Sequence, residues 1–166
     1  MFEFVYYRGF STGSGCVFDE KKGFVAQSQD KSFSLDDCGA AAGYLDDHLQ
    51  WWKRHISSPL ISTSTRAKAI KVAYSSQKFW KDRGCDVDTF VATIQYPSTP
   101  PNTYHMLHTA TMLGVEVKFN SKRYDEDEWL FAGCIPLKYI VEVRKYGKLH
   151  PWHDALRPDY PPDSLF

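Results

Sequence analysis

The chain has 166 residues, a length that suits one domain with a buried core. Hydrophobic residues make up 43% and aromatics 16%, while Lys+Arg and Asp+Glu both number 20, so the formal net charge is zero. That balance argues against a general polyanion binder, and no apolar run approaches the roughly 18 residues of a membrane span.

Phe2 to Tyr7 is an aromatic and β-branched run that reads as a strand ending at Arg8-Gly9. The start lacks the basic and apolar regions of a signal peptide, which leaves the compartment open. Ser11 to Gly15 reads as a loop, and residues 16–33 as loop with short strands. Ser34 and Asp37 form a capping box for a helix over 35–54. Leu35, Cys38, Ala42, Leu45, Leu49, Trp52 and Ile56 supply its apolar stripe. His48 and His55 lie near that stripe and read as surface or satisfied core histidines.

Leu60-Ile61 begins a strand that runs into the hydroxyl series Ser62-Thr63-Ser64-Thr65. Ser64 or Thr65 caps a helix over 65–79, with Ala67, Ile70, Ala73 and Tyr74 inward. Asp88 to Tyr96 is a strand, and His105 to Leu113 a short helix ending at Gly114. His105 and His108 stand at i, i+3 without a third ligand, so no metal site is expected. Strands are expected at Val115–Phe119, Trp129–Cys134 and Tyr139–Tyr146, and residues 150–166 read as an irregular tail. The four cysteines have no C-x-x-C spacing, and buried free thiols are the simplest reading, with one or two disulfides left open.

The segment Asp125-Glu126-Asp127-Glu128 opens the strand beginning at Trp129. In an extended chain Glu126 and Glu128 project to one face. Taken alone, this is a solvated acidic turn. Together with Tyr7-Arg8-Gly9 and Ile61-Ser62-Thr63-Ser64 it resembles the R-S-E class of mono-ADP-ribosyltransferases. The nearest likeness is to the catalytic A subunits of the cholera and heat-labile enterotoxins. It extends to Gly133-Cys134-Ile135-Pro136, the family's Gly-x-Ile-Pro, and covers residues 4–146 in outline. The pattern His48-Leu49-Gln50-Trp51 is also similar to fungal domains related to these toxins. The chain lacks the toxin's linker and docking helix, and the toxin's loop cysteines have no counterpart here.

The resemblance implies an α+β fold, a split β-sandwich around an NAD cleft, formed by one domain over 1–166. It implies transfer of ADP-ribose from NAD to an acceptor, with release of nicotinamide through an oxocarbenium-like transition state. Glu128 would stabilise the developing charge and accept a hydrogen bond from the ribose 2′-hydroxyl. Glu126 would prepare the acceptor nucleophile, which the Glu-x-Glu form associates with protein arginine. Arg8 would hold the phosphates or ribose, and Gly9 would let the backbone approach the carboxamide. Ser62 would position Glu128, and Thr63 and Ser64 would brace the cleft. NAD enters as substrate, and no metal, second cofactor or membrane partner is expected. A soluble protein is expected, with a secreted or delivered effector as one form. An NAD glycohydrolase, a transferase acting on nucleic acid or a small molecule, and a non-catalytic interaction module on the same fold remain alternatives.

Overall fold

The structure, a computed structural model, describes residues 4–50, 57–117 and 127–146. In chain order the elements are β1 (Phe4–Ser11), β2 (Val17–Asp19), β3 (Gly23–Val25), α1 (Cys38–Leu49), β4 (Leu60–Thr63) and α2 (Arg66–Lys81). They continue with β5 (Thr89–Tyr96), β6 (Thr103–His105), α3 (Met106–Leu113), β7 (Trp129–Ala132), β8 (Cys134–Pro136) and β9 (Ile140–Tyr146). The strands form three antiparallel sheets, in the orders β1-β5-β9, β2-β3-β8 and β4-β7-β6. This is an α+β architecture, as expected.

Alternation along the strands explains the layering. Tyr6 and Phe10 of β1 point inward with Ala92, Ile94 and Tyr96 of β5. They meet Ile61 and Phe131 from β4 and β7, and Phe24 and Ile135 from β3 and β8, in one central core. Phe24 and Phe131 are fully buried there, each burial contributing roughly 1.5–3 kcal/mol. On its other face β4-β7-β6 presents Leu60 and Leu130 to Leu45 and Leu49 of α1 and to Met106 and Ala110 of α3. Helix α2 covers the outer face of β1-β5-β9 through Ala69, Ile70 and Ala73.

Several boundaries differ from those read in the sequence. Strand β1 continues through Arg8 and Gly9 to Ser11, because Arg8 to Ser11 pair in register with Ala92 to Thr89. The N-cap of α1 is Asp37, which accepts from Ala40 N–H, and Ser34 Oγ instead bonds Asp36. The helix ends at Leu49, and Trp51, Trp52, His55 and Ile56 lie outside the described residues. Helix α2 buries Lys68 and Ala69 and leaves Ala67 exposed. Residues 115–117 form no strand, because Val115 and Val117 pack on the α1–α3 cluster instead of joining a ladder.

Gly133, at φ 80°, separates β7 from β8, so the expected single strand changes sheet there. The cysteines are free, with Cys16 half-buried and Cys38, Cys85 and Cys134 exposed, which corrects the expectation of buried thiols. No helix among the described residues is long and apolar enough to cross a membrane.

Candidate functional site

Strands β1 and β4 belong to different sheets and touch at one backbone pair. Tyr7 N–H donates to Ser64 O at 3.0 Å, and Ser64 N–H donates to Tyr7 O at 2.8 Å. In an antiparallel ladder the next such pair would join Gly9 and Ser62. The strands diverge before reaching it. Arg8 supplies the missing donor, its Nη1 reaching Ser62 O at 2.6 Å. The guanidinium lies over the Phe24 ring, 5.3 Å from its centroid. Among the described residues its Nε is buried without a hydrogen-bond partner, and no carboxylate pairs with the side chain.

Ser62 sits opposite Leu130 on β7, so its side chain shares the face packed by α1. His48 meets it there: Nε2 lies 2.7 Å from Ser62 Oγ, and Nδ1 lies 2.9 Å from Ser58 Oγ. Although the residue as a whole is only half-buried, its imidazole is enclosed. Burial first, and the Arg8 charge second, push its pKa down to about 4. A neutral ring can donate through one nitrogen and accept through the other, which suits two hydroxyl partners.

Glu128 precedes β7 and is 6% exposed. It lies two residues before Leu130, just outside the β4–β7 ladder in which Leu130 faces Ser62. Its Oε2 is 2.9 Å from Nζ of Lys68, which is also buried, in the first turn of α2. The backbone carbonyl of Glu128 accepts from Met106 N–H, joining it to the start of α3. Glu126 lies outside the described residues.

The structure therefore places Arg8, Ser62 and His48 in one connected cluster, and Glu128 with Lys68 beside it. One expected contact is not made: Ser62 Oγ bonds His48, and the Glu128 carboxylate bonds Lys68. Gly9 also has a packing role, since a Cβ there would stand 1.8 Å from Ala69 O. Thr63 Oγ1 donates to Trp129 O, and Ser64 Oγ donates to Thr65 O, so both hydroxyls brace backbone around the junction. His105 caps α3 by accepting from His108 N–H, which accounts for the His-x-x-His spacing. No cluster of three or more metal-ligating side chains occurs among the described residues.

Comparison with protein families matches residues 3–149 to a family described as Domain of unknown function (DUF7587). The chain belongs to the DUF7587 family. No curated protein and no solved structure matches it. What this DUF7587 chain does must therefore be argued from its own side chains.

His48 is the satisfied histidine that its place near the helix stripe allows, but its pairing with Ser62 and Ser58 depends on α1 crossing β4 in this DUF7587 chain, and the burial of Lys68 is not legible in the sequence. A lysine in a first helical turn usually faces water, and the one hint to the contrary at Lys68 is its place between the strand hydroxyls and the apolar Ala69-Ile70 pair.

Proposed function

We propose that this protein is an NAD-dependent mono-ADP-ribosyltransferase, transferring ADP-ribose to a protein acceptor, with arginine as the expected side chain. The observation that carries the reading is Arg8: a guanidinium at a strand split, with a buried Nε unsatisfied and no carboxylate partner among the described residues, beside Ser62. An anion with several oxygens suits such a group, and the diphosphate of NAD supplies one. The parting of β1 from β4 after a single backbone pair supports a split β-sandwich with its cleft at that point.

In this reading Glu128, with one oxygen held by Lys68, offers the other to the ribose 2′-hydroxyl and stabilises positive charge as the nicotinamide bond breaks. Nicotinamide leaves with the bonding electrons, and the acceptor nucleophile closes on the same carbon while losing a proton. Glu126 would take that proton. Ser62, with its hydroxyl oriented by His48, lines the wall between Arg8 and Glu128 instead of bracing Glu128 directly.

The test is nicotinamide release from NAD by the wild type, Arg8→Ala and Glu128→Ala. Loss in both variants supports the reading, while release at the wild-type rate in Glu128→Ala removes the chemistry assigned here. Glu126→Gln then examines the acceptor. It should abolish transfer to arginine while sparing some hydrolysis of NAD.

A further inference from the structure

We propose that Lys68 is a positioning residue for Glu128, a role that rests on the transferase reading above. The two side chains meet at 2.9 Å although 60 residues separate them, with side-chain exposures of 9% and 8%. A carboxylate this enclosed is unstable as a bare anion. Without a counter-ion it would turn towards water and cease to be a fixed acceptor. Lys68 holds it in place.

The backbone that carries this ammonium is itself fixed. Lys68 lies in the first turn of α2, three residues after the Thr65 cap, which accepts from Lys68 N–H. The backbone of the next residue, Ala69, packs so near Gly9 of β1 that a Cβ there would stand 1.8 Å from Ala69 O. The lysine thus has little freedom to follow a wandering carboxylate. Glu128 Oε2 is consequently fixed, while Oε1 accepts no hydrogen bond among the described residues. The carboxylate presents one oxygen in one direction, which is what a partner for a single ribose hydroxyl requires.

An ion pair of purely structural value makes a different forecast. Its loss would lower stability and leave the turnover of the folded fraction unchanged. The experiment compares wild type, Lys68→Met, Lys68→Gln and Lys68→Arg by thermal midpoint and by kcat and KM for NAD in nicotinamide release. Removing the charge in Lys68→Met should lower kcat by on the order of tenfold or more, with KM changed by less than about twofold. Lys68→Arg, which keeps the charge, should lie closer to wild type. If Lys68→Met does not fold, Lys68→Gln decides, since it keeps a donor without the charge. A folded neutral variant with wild-type kcat overturns the role of Lys68 and leaves the transferase reading standing. Absence of nicotinamide release from the wild type overturns both.

Discussion

The imidazole of His48 bonds the hydroxyl of Ser62 at 2.7 Å, tying the last turn of α1 to the strand that carries the serine run. His48 titrates at about 4 in the fold, against an ordinary 6.5. Between those values the unfolded chain binds a proton that the native state refuses. Stability should therefore fall as pH drops from 6.5 to 4, by roughly 3 kcal/mol from this residue, and level off below. Thermal midpoints across this range check it. In His48→Gln this part of the slope should vanish.

Ser62→Ala leaves one nitrogen of an enclosed imidazole without a partner. A loss of about 1–3 kcal/mol is expected in urea denaturation. Arg8 should stay anchored in this variant, because it bonds the backbone carbonyl of Ser62 and not the hydroxyl. A stability equal to wild type would show that the ring finds another hydrogen-bond partner.

Gly9→Ala forces a Cβ to within 1.8 Å of Ala69 O, a backbone atom that can yield only if α2 shifts. The expected loss is about 2 kcal/mol or more. A structure of the variant should show the start of α2 displaced from β1.

Asp37→Ala removes the acceptor for Ala40 N–H at the start of α1. The cost should be about 1 kcal/mol, read from the denaturation midpoint. Ser34→Ala should cost less, since the Ser34 hydroxyl bonds Asp36 and does not cap the helix.

Elements with strong local signals were legible. The β-branched series Thr89–Tyr96 forms β5, and Thr65 caps α2. Arg8 and Ser62 could be singled out because their neighbours form recognisable short motifs. Their partners could not, because each depends on register and packing between distant elements. Ser62 faces α1 only because it pairs with Leu130; a slip of one residue would turn it to the opposite face. The extent of β1 was also hidden, since Arg8 and Gly9 look like a strand end until Val91 and Ala92 are seen opposite them. At Val115–Val117 the β propensity was real, but helix packing used those side chains first.

The guanidinium of Arg8 occupies the place where a zipped ladder would have set the N–H of Gly9 against Ser62 O. It acts as a doorstop. An anion that draws Arg8 away leaves that carbonyl without a donor, and the simplest remedy is for the two strands to close by one more rung. In the transferase reading, the width of the gap between these strands and the hold of Arg8 on a phosphate would be coupled through that one hydrogen bond.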